Sequence, residues 1–145
     1  MIRNASKAIL IHDNKLLTIK YQDDKGIFYS LPGGGQEYGE TLIENVRREC
    51  REEVGLDVLV GDLLFVREVI DETKNIHQLE FIFLCSSNSI EEACMGELPD
   101  SGQLAIEWLP LSNLLDYRLY PLEARNYLKD LSKCKTTFPV YLGAK

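Results

Sequence analysis

Residues 34–56 read Gly34-Gly35-Gln36-Glu37-Tyr38-Gly39-Glu40-Thr41-Leu42-Ile43-Glu44-Asn45-Val46-Arg47-Arg48-Glu49-Cys50-Arg51-Glu52-Glu53-Val54-Gly55-Leu56, and this stretch decides the reading of the chain. From Thr41 to Val54 the apolar residues Ile43, Val46, Cys50 and Val54 recur at spacings of three, four and four, which predicts an amphipathic helix. Gly55 follows as its C-terminal stop. Glu49, Glu52 and Glu53 stand at i, i+3 and i+4, so their carboxylates converge on one part of the helix surface. The i,i+4 pair Glu49–Glu53 is like-charged, which costs a few tenths of a kcal/mol unless cations fill the gap. A solvated helix with Arg47, Arg48 and Arg51 as ion-pair partners is the plain alternative. The preceding Pro32-Gly33-Gly34-Gly35 turn argues against it, because bare backbone there lets amides and carbonyls touch metal and phosphate. Hard cations such as Mg²⁺ or Mn²⁺ take oxygen ligands and bind phosphate compounds beside one or two carboxylates.

Outward from this stretch, Lys7–His12 and Lys15–Tyr21 read as a hairpin about Asp13-Asn14, and Ile27–Leu31 as a short strand running into the glycines. Asp57–Ile70 and Ile76–Cys85, joined by the polar turn Asp71–Asn75, read as a second, longer hairpin. Ser86–Gln103 is loop-like, Leu104–Leu109 a last strand, and Pro121 opens a helix lasting to about Lys133. The 134–145 tail carries Phe138, Val140 and Tyr141, which fit docking on the body or on a second subunit, so a homodimer is allowed. Strands in hairpins rather than regular βαβ alternation predict an α+β layered domain with a mixed sheet. Nothing splits the 145 residues, which read as a single domain.

The formal charge of −7 repels polyphosphate at long range, which argues against a nucleic-acid partner; a small phosphate substrate needs local neutralisation, as cations on carboxylates supply. Cys50, Cys85, Cys94 and Cys134 form no CxxC pair and read as free thiols of a cytoplasmic protein. No apolar run approaches membrane-spanning length, and the N-terminus lacks a signal core.

The 34–56 stretch resembles the Nudix box, G-x5-E-x7-R-E-U-x-E-E-x-G-U, with U a bulky aliphatic residue. Gly34, Glu40, Arg48, Glu49, Glu52, Glu53, Gly55 and Leu56 fall in register. Cys50 at the first U position is the one departure, and a small apolar thiol fills that role. The seven fixed Gly, Glu and Arg positions match at one placement by chance about once in 10⁸ or rarer. The resemblance implies an α/β/α sandwich with the box as loop–helix–loop. It implies metal ligation by Glu49, Glu52, Glu53 and the Gly34 carbonyl, with Glu40 and Arg48 paired to fix loop against helix. It also implies hydrolysis of the phosphoanhydride of a nucleoside diphosphate linked to another group.

A base must take a proton from the attacking water. Glu53 is the first candidate, and Glu97 and Asp100 in the late loop are the alternatives. Lys20 and, more weakly, Arg67 are candidate phosphate contacts, with Gly33 offering backbone beside Gly34. Glu80, inside the apolar run Leu79–Leu84, faces either the substrate cleft or solvent. His77 is a cleft or a structural residue, and Phe28 and Tyr29 stack on a base or pack in the core. In chain length, the long second hairpin and the closing helix the sequence resembles ADP-ribose pyrophosphatase-like members of that family, which implies an ADP-ribose-like substrate cleaved to AMP and ribose 5-phosphate. A nucleoside triphosphate, as in MutT-like enzymes, is the rival within the family, and a nucleotide sensor that does not cut its ligand is the rival outside catalysis.

Overall fold

A computed structural model of the chain describes residues 1–98, 101–131 and 139–144. Strands β1 (Ile2–His12) and β2 (Lys15–Asp23) form the first hairpin. Its turn places Asp13 and Asn14 at φ 51° and 59°, the paired left-handed conformation that Asp and Asn tolerate and a tight hairpin needs. Strand β1 starts five residues before the expected Lys7, because Ile2–Leu10 pairs in parallel with β6 (Ile76–Ser86), a partner that local sequence does not reveal. Strand β3 (Gly26–Ser30) runs antiparallel to β2. The three glycines Gly33–Gly35, read as a turn, form a short strand β4 antiparallel to Ala5–Lys7 of β1.

Helix α1 (Leu42–Val54) is followed by β5 (Leu59–Asp71), which pairs antiparallel with β6 across a turn capped by Asp71. Strand β7 (Ala105–Pro110) pairs with β2, and β8 (Leu119–Tyr120) with β3. Helix α2 spans only Ala124–Lys129, three residues after the expected start at Pro121 and short of Lys133, which lies outside the described residues. Strand β9 (Val140–Ala144) adds in parallel to β5, so the tail's Val140 and Tyr141 dock on the chain's own sheet; Phe138 lies outside the described residues.

The strand order is β8-β3-β2-β1-β6-β5-β9, with β4 beside β1 and β7 beside β2, a mixed sheet. Alternation along β1 divides the interior. Ala8 and Leu10 join Leu17, Ile19, Phe83 and Cys85 under α1, while Ile9 joins Leu16, Phe65, Ile82 and Leu109 under α2. The result is the expected α/β/α layering. On α1, Val46, Cys50 and Val54 are fully buried, and each valine contributes about 1.5–3 kcal/mol. Ile43 is a correction to the predicted stripe: it is 49% exposed, and Leu42 packs against the core instead. No helix among the described residues is long and apolar enough to cross a membrane.

Candidate active site

Both ends of α1 are fixed by short-range chemistry. Thr41 Oγ1 accepts from Glu44 N (3.0 Å) and Glu44 Oε1 accepts from Thr41 N (3.1 Å), a reciprocal cap that satisfies two amides otherwise left without helical partners. At the other end Gly55 turns into the left-handed region (φ 68°, ψ 24°) and its N–H closes on Cys50 O. The remaining terminal carbonyls meet the late loop. Cys94 N donates to Val54 O, Gly96 N to Glu53 O and Leu98 N to Glu52 O, at 3.1, 2.9 and 3.1 Å. Gln103 Nε2 adds a bond to Glu53 O. A Cβ on Gly96 would stand 2.1 Å from Glu52 O, so only glycine lets this strap lie against the helix.

The glycine strand is held against the same helix. Asn45 Nδ2 donates to both Gly34 O (3.2 Å) and Gly35 O (3.1 Å). Arg48 Nε and Nη2 form a fork on the two Glu40 oxygens (2.7 and 3.0 Å), Nη2 also reaches Gly35 O, and Nη1 reaches Glu49 Oε1 (3.0 Å) and Glu52 Oε2 (3.3 Å). The Arg48 guanidinium holds the Glu40 carboxyl below the usual carboxylate range, assisted by Glu37 N–H and the Arg48 charge. Burial pushes Glu49 the other way, above its usual value, with the neighbouring Glu52 adding to the rise and Arg48 opposing it.

Glu53 is 2% exposed, and its Oε1 accepts from Gly33 N at 2.8 Å. The Glu49 carboxyl lies where a side chain on Gly34 would stand, 2.7 Å from such a Cβ, so bare backbone at Gly34 lets the acid lie against the strand. The three acids do not form one closed cluster. Glu49 and Glu52 share the Arg48 cation while Glu53 turns to the Gly33 amide, and no group of three His, Cys, Asp or Glu side chains among the described residues stands in metal-holding geometry. Like charges on one helical turn repel, and Arg48 Nη1 occupies the place between Glu49 and Glu52 where another cation would sit. The donor set, carboxylate oxygens beside a carbonyl, is the chemistry hard divalent ions select.

The model of the NUDIX domain matches residues 1–131. The chain belongs to the Nudix family. It is 30% identical over 123 residues to the nucleoside triphosphatase NudI of Escherichia coli strain SE11, a match covering 77% of this chain and 84% of that protein. The NudI protein of Shigella flexneri gives the same figures. A crystal structure of an ADP-ribose pyrophosphatase from Streptococcus suis superposes with TM-score 0.64 at 23% identity, over 96% of this chain and 98% of the other. A Nudix hydrolase from Nitrosomonas europaea superposes with TM-score 0.74 at 19% identity, over 99% and 78%. At these identities the structures establish the shared fold. The protein is a Nudix pyrophosphohydrolase, and the family generally uses divalent metal ions.

Around the Nudix helix the other expected residues fall in several places. Arg67 and Glu80 are cross-strand partners whose side chains pair at 2.7 Å, and Gln78 Nε2 donates to Glu80 at 2.9 Å. Glu80 is 5% exposed, so the solvent-facing alternative is corrected: it is a buried ion-pair member. Burial opposes its ionisation, yet Lys7, Arg67 and Gln78 hold it below its usual value. Lys20 lies on β2 opposite Tyr29 and Ala105, and among the described residues no hydrogen bond or ion pair joins its side chain to the helix acids. Glu97 is exposed, on the strap, beside a groove of about 480 Å³ that Arg51, Glu52 and Met95 also line. Asp100 lies outside the described residues.

His77 pairs with Glu68 at 2.9 Å, a structural contact. Tyr29 belongs to the core, and burial, then Glu107, pushes its hydroxyl up to about 12. Phe28 stacks on Tyr21 beneath the Arg118 guanidinium. Four residues around the site are absent from the expected set. Asn45 stands one turn before Glu49 and was detectable by that spacing, whereas Gly96, Gln103 and Lys7 act through partners far along the chain.

Proposed function

We propose that this Nudix enzyme hydrolyses the phosphoanhydride of a nucleoside triphosphate, releasing a nucleoside monophosphate and pyrophosphate, in a reaction dependent on Mg²⁺ or Mn²⁺. The observation that supports a site of this kind is the joint held between α1 and the glycine strand, with Glu49, Glu52, Glu53 and the Gly34 carbonyl around it. The substrate class is supported by the relatives at 30% identity, which are nucleoside triphosphatases. An ADP-ribose-like substrate is the second reading, favoured by the long β5–β6 hairpin and closing helix α2.

Glu49, Glu52, Glu53 and the Gly34 carbonyl are the residues that would hold the divalent ion. When bound, such an ion neutralises charge on the phosphate oxygens and makes water acidic enough to attack. The chain's residues do the rest. Glu53 takes the proton of the attacking water; its low exposure and the Gly33 amide fix where the carboxylate points. Arg48, gripping Glu40 and Gly35 O, holds helix and loop in one geometry, since hydrolysis depends on placement to a fraction of an ångström. Gly33 and Gly34 are the backbone contacts of the phosphate in this reading; without side chains they lie directly against Lys7 and the Glu49 carboxyl. Glu97 and Asp100 are the alternative bases.

The experiment is a panel of nucleoside triphosphates, ADP-ribose and dinucleoside polyphosphates, incubated with Mg²⁺ or Mn²⁺ and read by product mass. A monophosphate and pyrophosphate from a triphosphate is the expected result, with Glu53→Gln lowering kcat by about 10²–10⁴-fold while the fold is kept. A fully active Glu53→Gln enzyme removes Glu53 from the role of base. Preferential cleavage of ADP-ribose replaces the substrate, and tight binding without turnover across the panel favours a sensor.

A further inference from the structure

We propose that Lys7 is a substrate-binding residue that takes a phosphate oxygen of the nucleotide from the strand side of the site, opposite the acids of the Nudix helix. This deepens the hydrolase reading above and rests on it. Lys7 pairs with Gly33 in the β1–β4 register, and its stem lies so close over that glycine that a Cβ there would stand 2.8 Å from Lys7 Cδ. The Gly33 N–H is the group bonded to Glu53. The ammonium of Lys7 is therefore carried by the same rung of backbone that fixes the proposed base.

Its partners set it apart from the cations around it. Arg48 is bonded to Glu40, Glu49 and Glu52, and Arg67 to Glu80. Lys7 is part-buried, yet among the described residues it forms no ion pair within 4.0 Å, and its hydrogen bond is a long one, 3.5 Å to Ser30 Oγ. A cation withdrawn from water without an adjacent counter-ion loses hydration that little replaces. Among the described residues the ammonium makes no ion pair with Glu49 or Glu80, although its charge favours the ionised form of the buried Glu80. A phosphate oxygen is the ligand this arrangement fits: lysine binds phosphate as a point charge. The chain's net charge of −7 otherwise repels a polyanion, so local positive charge beside the glycine strand has to offset it. A polyphosphate reaching Lys7 would be held from both sides, by the strand cation and by the ion the helix acids would carry.

Two measurements on the full chain test this. In steady-state kinetics with the best-cleaved nucleotide, Lys7→Met should raise KM roughly tenfold or more and leave kcat within about threefold, while Lys7→Arg stays near wild type. In calorimetry with α,β-methylene-ATP and Ca²⁺, Lys7→Met should weaken binding by a similar factor. Lys7→Gln is read in the same way if the methionine variant does not fold. An unchanged KM and unchanged analogue binding overturn the assignment. So does a loss of kcat at constant KM, which would make Lys7 a structural counter-charge for Glu49 and Glu80. Failure of the wild type to bind the analogue overturns it too. A wild type that cleaves nothing, yet binds the analogue in a Lys7-dependent way, sinks the hydrolase reading and leaves this one standing.

Discussion

The two helices on either face of the sheet differ in how their ends are held. Helix α1 is specified at both ends: a reciprocal Thr41–Glu44 cap, a left-handed Gly55, and a strap whose backbone amides take the carbonyls of Glu52, Glu53 and Val54. Helix α2 spans six residues with no side-chain cap; Ala124 and Leu128 are buried in the second core, and Arg125 ties the helix to the preceding segment through the carbonyls of Leu115, Tyr117 and Leu122. Apolar burial is non-directional and fixes position loosely. Hydrogen bonds to helix ends fix rotation and depth. The helix with directional supports at both ends is the one that carries the acids, so the local geometry is most closely fixed where the proposed reacting groups stand.

That contrast predicts a division of mutational effects. Leu128→Ala, a fully buried deletion under α2, should lower stability by about 2–5 kcal/mol while leaving kcat of the folded fraction unchanged; denaturant unfolding and an active-site titration measure the two separately. A fall in kcat of the folded fraction would show that the α2 face is coupled to the site. Gly96→Ala should act in reverse. The added methyl cannot lie 2.1 Å from Glu52 O, so the strap must lift and leave the carbonyls beside two of the acids. The expected result is a roughly tenfold loss of kcat and a higher concentration of divalent ion needed for half-maximal rate, with a smaller change in unfolding midpoint. Loss of stability alone would reduce the strap to a structural edge.

How much of this was legible in the sequence follows the same line. The α1 supports are local: Gly55 after Val54 marks the helix stop, the family resemblance implies the Arg48–Glu40 pair, and the Thr41–Glu44 cap, three residues apart, carries a sequence signature that is not among the expected features. The glycine strand was read as a turn because its pairing is with β1, some 28 residues earlier, and glycines carry no strand signal of their own. The strap was invisible for a similar reason: its contacts are backbone to backbone, and Gly96 looks like any loop glycine until Glu52 O is placed beside it. Lys7 read as an ordinary strand residue, since its neighbours Ser30 and Gly33 reach it only through the fold. The end of α2 was misplaced because a helix held by burial, without a cap, leaves no boundary residue to find. The buried Arg67–Glu80 pair follows from β5–β6 register, which the long hairpin implied without fixing.

The proposed hydrolysis requires the acids of α1 to draw a divalent cation against the Gly34 backbone. Equilibrium binding of Mn²⁺, followed by electron paramagnetic resonance on the wild type and on Glu49→Gln and Glu53→Gln, addresses that without requiring turnover. The wild type should bind the ion in place of the contacts Arg48 now makes to Glu49 and Glu52, and each substitution should weaken binding roughly tenfold or more. Equal affinity in all three proteins would contradict it.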